Sequence, residues 1–218
     1  MSLHERWTYE QDDPAIMLFT AALKAWQLPI LPGQSVLEIG CNESDFLPRL
    51  AKADPSLKLT GMDWRPLQRP DGHGPEGFTF VQGCAWDADL FQAESFDWVL
   101  MLGALEHFGL GYYGDPKNDA GDYEAVQAAE HWLKPGGHLY FDVPCNPESA
   151  ETRHFRTYSP GDIGQRLFML AGSTSEVARG YSLPEPTAGT WIPQPTIHRV
   201  PYHFCAIWAS KDVDARHA

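Results

Sequence analysis

The feature that most constrains the fold is an alternation of short apolar, β-prone runs with amphipathic helical segments. The first run is Ser35 to Ile39, which ends at Gly40, and a segment with helical spacing follows it from Ser44 to Ala53. Strands that alternate with helices require crossover connections, and these build parallel sheets with helices on both faces. The pattern therefore predicts a doubly wound α/β fold of the Rossmann-like type.

The alternation continues along the rest of the chain. Further strands are predicted at 57–62, 78–82, 96–102, 137–143 and 200–209, and further helices at 13–27, 122–133 and 163–170. Two stretches rich in proline or glycine, 66–77 and 183–201, interrupt the alternation and are predicted as loops. Loops of this length are either walls of a binding site or plain surface connections, and the sequence leaves both possibilities open.

The length of 218 residues fits a single domain. Within it we predict an N-terminal helix at 12–28, a cofactor-binding core at 33–144, and acceptor-side loops and C-terminal strands at 145–210. The net charge of -13 disfavours nucleic acid as a partner. The sequence contains no secretory signal pattern and no apolar run of membrane-spanning length, so we expect a cytoplasmic protein without a membrane partner.

Two polar features follow the first two predicted strands. Gly40 opens a tight turn through Asp45, where Asn42 can take the left-handed conformation that a glycine would otherwise supply. Asp63 follows the second strand, where a carboxylate can accept hydrogen bonds from a ribose diol. Together they indicate an adenosine-containing ligand, although a capping turn and a surface aspartate would produce the same pattern.

Four segments then occur in a characteristic order. They are Val36-Leu-Glu-Ile-Gly-Cys41, Gly61-Met-Asp63, Phe96-Asp-Trp-Val99 and Leu133-Lys-Pro-Gly-Gly-His-Leu139. Together they resemble the successive motifs of class I S-adenosylmethionine-dependent methyltransferases, over residues 35 to 143. The resemblance implies a mostly parallel seven-stranded sheet with an antiparallel last strand. A nicotinamide-binding domain would more typically carry the fuller G-x-G-x-x-G fingerprint.

The resemblance also implies roles for individual residues. Glu38 and Gly40 would lie beside the methionine part of S-adenosylmethionine, Asp63 would bind the ribose, and Trp64 would cover one face of the adenine. The implied cofactor-binding set is Glu38, Gly40, Cys41, Asn42, Asp45, Asp63, Trp64, Gly83, Cys84, Ala85, Trp86 and Leu102. The product of the reaction would be S-adenosylhomocysteine.

The sequence departs from the family pattern at three of its positions. Asn42 and Ser44 stand where the family usually has glycines, and Cys84 stands where it often has an acid that binds the adenine amine. Asp87 could take over that contact. The altered turn keeps open a second hypothesis, a non-catalytic binding protein that retains the fold.

The catalytic candidates follow the strand predicted at 96–102. Glu106 and His107 come just past its carboxyl end, where a methyl acceptor would lie. Histidine has a pKa suited to removing a proton from an acceptor hydroxyl, and Glu106 could orient it or contact the cofactor. An N-methyltransferase would need less proton removal, and His107 could also be a histidine that only packs and binds backbone.

The segments 104–122 and 154–158 resemble, more particularly, a little-characterised bacterial methyltransferase-like group associated with surface-polysaccharide genes. That resemblance implies a small-molecule or sugar acceptor. The predicted substrate-binding residues are Tyr112, Tyr113, His154, Arg156 and Tyr158.

Metal binding and self-association are weaker expectations. Asp115, Asp119 and Asp122 form an acidic cluster whose oxygens suit a hard cation, but their spacing matches no defined metal loop, and a solvated acidic turn that caps the next helix is the preferred interpretation. We therefore predict no metal site. The aromatic residues of the last strand, Tyr202, Phe204 and Trp208, suit either a core or the face of a homodimer.

Overall fold

The computed structural model describes residues 14–68, 77–163, 167, 179–181 and 203–211. Nine strands are present among these residues: β1 Ser35–Ile39, β2 Lys58–Asp63, β3 Thr79–Gln82, β4 Phe96–Met101, β5 Leu133–Cys145, β6 Ala150–Glu151, β7 Arg156–Thr157, β8 Arg179–Tyr181 and β9 His203–Ser210. The helices are α1 Pro14–Trp26, α2 Phe46–Ala53, α3 Gly121–Trp132 and the single turn α4 Pro160–Asp162.

Seven of the described strands form one sheet in the order β3-β2-β1-β4-β5-β9-β8. Strands β1 to β5 run parallel to one another, whereas β9 is antiparallel to β5. The prediction of a mostly parallel sheet with an antiparallel last strand is confirmed. Strand order reverses between β1 and β4, so their carboxyl ends open a crevice at the topological switch point.

Helices cover both faces of this sheet. On one face, the apolar side of α1 packs with α2 against β1 and β4 through buried residues that include Phe19, Trp26 and Trp98. On the other face, α3 packs through Ala125, Ala129 and other buried side chains. The helical spacing that predicted α1 therefore corresponds to a buried stripe, as expected for an amphipathic helix on a sheet.

Most segment boundaries differ from the predictions by one or two residues, and two starts need an explanation. The helix after β1 begins at Phe46, because the turn Cys41–Glu43 forms a separate 3-10 helix. β5 begins at Leu133, before the Lys134-Pro-Gly-Gly turn, and its register with β4 shifts between Phe96 and Trp98. Lys134 explains why this turn stays in the sheet, because its ammonium binds Asp97 at 2.8 Å and so fastens the turn to β4.

Several predictions lie outside the described residues. The loop 183–201 and Tyr202 are among them, as is most of the helix predicted at 163–170. Of the loop predicted at 66–77, the residues up to 68 are described and have no regular structure. The other two aromatic residues of β9, Phe204 and Trp208, are half-buried against the α1 face. The domain boundaries and the homodimer stay predictions.

No helix among the described residues is long and apolar enough to cross a membrane.

Candidate cofactor and acceptor site

A cavity of about 360 Å³ opens at the switch point between β1 and β4. Its walls come from the loops that follow β1, β2, β3 and β4, together with parts of α1, β5 and β9. The lining residues are Ala15, Leu18, Ile39, Gly40, Glu43, Ser44, Met62, Asp63, Trp64, Arg65, Gly83, Cys84, Ala85, Trp86, Leu102, Gly103, Ala104, Glu106, His107, Phe108, Tyr113, Asp115, Asp142 and Phe204. The volume and the position both fit a small-molecule site in an open α/β sheet.

Gly40 forms the floor of this cavity. Its φ of 83° lies in the left-handed region, and a Cβ atom at this position would come within 2.6 Å of the Ala104 Cβ. Both observations require glycine here, because any side chain would be strained and would collide with the loop after β4. The backbone of β1 is thereby left open to a ligand.

Asp63 is buried at the end of β2, and its carboxylate is already engaged. It accepts hydrogen bonds from the backbone N–H of Asn42 at 3.2 Å and of Arg65 at 2.9 Å, and from the Arg65 Nε at 3.2 Å. Arg65 also binds Glu43 at 2.8 Å and lies over the Tyr113 ring, 4.4 Å from its centroid. A ribose diol at Asp63 would therefore have to share this carboxylate with Arg65.

Asn42 does not take a left-handed conformation. Among the described non-glycine residues, only Gln27 and Glu94 have positive φ. Asn42 instead belongs to the 3-10 turn, and its side-chain amide binds the Pro66 carbonyl at 3.1 Å and the Gln68 N–H at 2.8 Å. Asn42 therefore binds the chain after β2 from a turn with negative φ, and the left-handed conformation that its residue type allows is not used.

The predicted cofactor residues fall into two groups. Eight of them line the cavity: Gly40, Asp63, Trp64, Gly83, Cys84, Ala85, Trp86 and Leu102. Four are not among its lining residues: Glu38, Cys41, Asn42 and Asp45. Of these four, Asp45 forms an ion pair with Arg49 of α2. Asp87, the suggested replacement for the acid missing at Cys84, accepts a hydrogen bond from the Asp89 N–H and is absent from the cavity walls.

Glu106, which follows β4, and Asp142 of β5 place two buried carboxyl groups in the cavity wall. This part of the wall is opposite in the sheet order to the part formed after β2 and β3. Glu106 is only 4% exposed and Asp142 is fully buried. Asp142 accepts a hydrogen bond from the Gly103 N–H at 2.5 Å, whereas no described residue donates a hydrogen bond to the Glu106 Oε2. Burial, with the nearby charge of Asp142, raises the pKa of Glu106 to about 8, so Glu106 is mostly protonated at neutral pH.

His107 is oriented by a single backbone contact. Its Nδ1 lies 2.5 Å from the carbonyl oxygen of His154. A carbonyl can only accept, so Nδ1 carries the proton and Nε2 carries the lone pair when the ring is neutral. Burial lowers the pKa of His107, which favours this neutral form. The Nε2 lies 3.9 Å from the Glu106 Oε1, too far for a hydrogen bond, so it remains available as a proton acceptor.

Aromatic side chains surround His107 at the mouth of the cavity. Tyr113 lines the cavity and packs edge-on against His107, with ring centroids 5.4 Å apart. Tyr112 packs against both Tyr113 and His154, at 4.9 Å and 4.3 Å. Both tyrosines are exposed. Of the predicted acceptor residues, Tyr113 is therefore in the wall, and Tyr112 and His154 are directly behind it.

Arg156 and Tyr158 are not brought to the cavity. Tyr158 is buried and donates a hydrogen bond from its hydroxyl to Asp122 at 2.8 Å. Arg156, also buried, binds Glu151 at 2.9 Å and the Phe108 carbonyl at 2.6 Å. The two side chains support the loop after β4 from behind, because Phe108 belongs to that loop.

The acidic cluster is dispersed in the structure. Asp122 is fully buried beneath Tyr158, which contradicts the expectation of a solvated turn. Asp115 lines the cavity and accepts a hydrogen bond from the Gly109 N–H at 2.9 Å. Across the residues that the structure describes, no three His, Cys, Asp or Glu side chains are arranged to hold a metal ion.

Two residues of the site were not predicted from the sequence. Asp142 interrupts an otherwise apolar strand, and that interruption was a usable signal, since a lone acid near the carboxyl end of a parallel strand has to be explained by burial or function. Arg65 follows Asp63 by two residues and gives no comparable signal. Its contacts with Glu43 and Tyr113 arise only in the folded chain.

Comparison with known proteins supports the fold. A family model described as "Caenorhabditis protein of unknown function, DUF268" matches residues 85–182, which is less than half of the chain. No curated protein matches. Among solved structures, the 1,6-didemethyltoxoflavin-N1-methyltransferase of Burkholderia thailandensis, with bound 1,6-didemethyltoxoflavin and S-adenosylhomocysteine, is similar at a TM-score of 0.61 and 17% identity, over 92% of this chain and 80% of that one.

Two further structures are similar to a comparable degree. An S-adenosylmethionine-dependent methyltransferase from Methanosarcina mazei has a TM-score of 0.55 and 18% identity, over 85% of this chain and 95% of that one. An O-methyltransferase family protein from Burkholderia thailandensis has a TM-score of 0.55 and 15% identity, over 83% of this chain and 52% of that one. The chain therefore has the Rossmann-like fold of class I methyltransferases.

Proposed function

We propose that this chain is an S-adenosylmethionine-dependent methyltransferase that methylates a hydroxyl of a small molecule or glycan, with His107 as the general base. The observation that carries the proposal is the arrangement at His107. His107 lines the cavity at the switch point, its Nδ1 is held by the His154 carbonyl, and Nε2 is therefore the ring nitrogen left to act on an acceptor. A general base needs an unprotonated atom in such a position.

The residues at the β1 to β3 end fit the adenosine part of the cofactor. Asp63 offers a buried carboxylate to the ribose, Gly40 keeps the backbone open, and Trp64 offers an exposed ring beside the segment from Gly83 to Trp86. The carboxyl pair Glu106 and Asp142 lies in the same cavity. Acidic walls of this kind suit a cationic ligand.

S-adenosylmethionine supplies a methyl group on a positively charged sulfur, which leaves as a neutral thioether when the acceptor oxygen bonds to the methyl carbon. His107 has two tasks in this reaction. Its Nε2 accepts the proton of the acceptor hydroxyl as the new oxygen–carbon bond forms, and it later returns that proton to water. The His154 carbonyl stabilises the imidazolium in between, because it accepts a hydrogen bond from the Nδ1–H group.

A sugar is the acceptor class that we favour. Tyr112 and Tyr113 expose aromatic rings beside His107, and faces of this kind pack against the apolar faces of small cyclic molecules. A sugar also provides the neutral hydroxyl on which a general base has an effect. The resemblance of residues 104–122 and 154–158 to the polysaccharide-associated group agrees with this choice.

The test is a turnover assay with S-adenosylmethionine and a panel of sugars and phenols, in which S-adenosylhomocysteine and the mass of the acceptor are measured. His107→Ala should lower turnover at least about 100-fold, the typical contribution of a general base, and leave cofactor affinity within about threefold. His131→Ala changes an exposed histidine near the end of α3 and should have no effect.

Two results would contradict parts of this proposal. A loss of only a few-fold in His107→Ala would remove the general-base role and favour transfer to nitrogen. Cofactor binding with no turnover on any acceptor would instead favour a binding protein that retains the fold.

A further inference from the structure

We propose that Glu106 and Asp142 form a charge-sensing wall, which makes the cavity prefer the sulfonium form of the cofactor to its neutral thioether product. This inference rests on the function proposed above and adds a binding preference to it. A wall that prefers the cation would favour exchange of product for fresh cofactor after each transfer.

Without a bound cation, the Glu106 and Asp142 carboxyl groups cannot both ionise easily. Both carboxyl groups are buried in the same cavity, and one Glu106 oxygen has no hydrogen-bond partner among the described residues. Two buried carboxylates in one cavity repel each other, so the pair holds a proton when no cation is present. The raised pKa of Glu106, about 8, agrees with this description.

The positive charge of the sulfonium would lie near Glu106 during methyl transfer. A hydroxyl that gives its proton to the His107 Nε2 lies about 3 Å from that atom. The methyl carbon that it attacks lies about 3 to 3.5 Å further on. Since the Glu106 Oε1 is 3.9 Å from the same Nε2, an acceptor hydroxyl bound to Nε2 would lie in the part of the cavity that Glu106 lines. Charges interact strongly over such distances in a partly buried site.

Glu106 and Asp142 differ from the other acids of the cavity in the partners that surround them. Asp63 and Glu43 both form ion pairs with Arg65, and Asp115 accepts the Gly109 N–H. Among the residues that the structure describes, the titratable groups that act on Glu106 are Asp142 of β5, the adjacent His107, Tyr113 and Tyr158. None of these four carries a positive charge at neutral pH while His107 is neutral. An added cation is therefore the group that would relieve the repulsion.

The experiment compares ligands that differ only near the sulfur. S-adenosylmethionine and S-adenosylhomocysteine share the adenosine and the amino-acid group, so the ratio of their dissociation constants isolates the sulfonium charge. Sinefungin, which carries an amine near the position of the methyl group, serves as a stable cationic ligand. All three are titrated by calorimetry into the full chain, into Glu106→Gln and into the exposed control Glu148→Gln.

We expect the wild-type protein and Glu148→Gln to prefer S-adenosylmethionine and sinefungin to S-adenosylhomocysteine. Glu106→Gln should reduce that preference about tenfold, equal to about 1.4 kcal/mol, without weakening S-adenosylhomocysteine itself. Glutamine matches the size of a protonated glutamate, so the variant should fold. Asp142→Asn should act in the same direction, and thermal unfolding reports whether its bond to Gly103 is retained.

Proton release provides a second measurement. At pH 7, binding of a cation should ionise Glu106 and release up to about one proton, whereas binding of S-adenosylhomocysteine should release almost none. Titrations in two buffers with different ionisation enthalpies measure this number, and Glu106→Gln should abolish the difference between the two ligands.

The outcomes separate the two proposals. If neither ligand binds, both the methyltransferase proposal and the charge-sensing wall are overturned. If both ligands bind and their affinity ratio is the same in the wild-type protein and in Glu106→Gln, only the charge-sensing wall is overturned.

Discussion

The two ends of the cavity differ in how their acidic groups are satisfied. At the end formed after β2, the Asp63 carboxylate already has backbone partners and a permanent countercharge in Arg65. At the end formed after β4, the Glu106 carboxyl has a buried oxygen without a hydrogen-bond partner among the described residues, beside the second buried acid Asp142. The first end is organised before any ligand arrives, whereas the charge state of the second depends on the ligand.

The largest expected effect concerns the shared floor of the two ends. Gly40→Ala should lower the free energy of unfolding by about 3 kcal/mol, since the left-handed backbone costs about 1 to 2 kcal/mol and the collision with Ala104 adds a similar amount. Gly33→Ala is the matched control, because Gly33 has φ of 80° but no atom within 4 Å of the added Cβ. It should cost about 1 kcal/mol. Equal losses in urea unfolding would mean that the close approach at Gly40 is unimportant.

The next effect concerns the end after β4. The pKa of Glu106 is about 8 in the folded protein, compared with an ordinary 4.5, so the folded state binds more protons between these pH values. The stability contributed by this group is therefore complete below pH 4.5 and falls as the pH rises through about 8. Glu106→Gln should match the wild type at pH 5. At pH 8.5 it should be more stable by about 2 kcal/mol, which is about half of the free energy that corresponds to the whole pKa difference.

The comparison is made by urea unfolding at both pH values, with Glu148→Gln as the control. A Glu106→Gln variant whose advantage did not grow between pH 5 and pH 8.5 would mean that Glu106 is not held protonated by its surroundings.

At the end of the cavity formed after β2, the expected effect is on the affinity for the cofactor product. Asp63→Asn removes the charge that would attract two ribose hydroxyls, so its affinity for S-adenosylhomocysteine should fall at least about tenfold. Asp89→Asn, at an exposed position, should bind as the wild type does. Because Asp63 also holds Arg65, thermal unfolding of the variant should be measured alongside. An unchanged affinity would mean that the ribose is not bound by Asp63.

The smallest expected effect concerns Tyr158, which supports the loop after β4. Tyr158→Phe removes a hydrogen bond to the fully buried Asp122 and should cost about 1 kcal/mol of unfolding free energy. Affinity for S-adenosylhomocysteine should stay within about twofold. If turnover fell strongly while stability stayed unchanged, Tyr158 would instead contact the acceptor.

The two ends also differ in how far the sequence predicted them. Gly40 and Asp63 were found because each follows a recognisable buried strand, and strand ends in a parallel sheet meet at one edge. Trp64 and the segment from Gly83 to Trp86 were placed by family resemblance, and they line the cavity. Local pattern is sufficient where a site is made from the residues directly after strands.

The other end depends on contacts between distant segments. The orientation of His107 depends on the carbonyl of His154, and the pKa of Glu106 depends on Asp142 of β5. Arg156 and Tyr158 have residue types that suit an acceptor site, yet tertiary packing turns them toward Asp122, Glu151 and Phe108. Neither spacing nor hydrophobic pattern encodes which distant partner a polar side chain will find.

The most direct test of the central claim is a crystal structure of the protein grown with S-adenosylhomocysteine. We expect the ribose hydroxyls on the Asp63 carboxylate, the adenine between Trp64 and the segment from Gly83 to Trp86, and the sulfur on the side of the cavity that holds Glu106 and His107. A nucleoside bound elsewhere, or a cavity that stays without it at saturating concentration, would contradict the account.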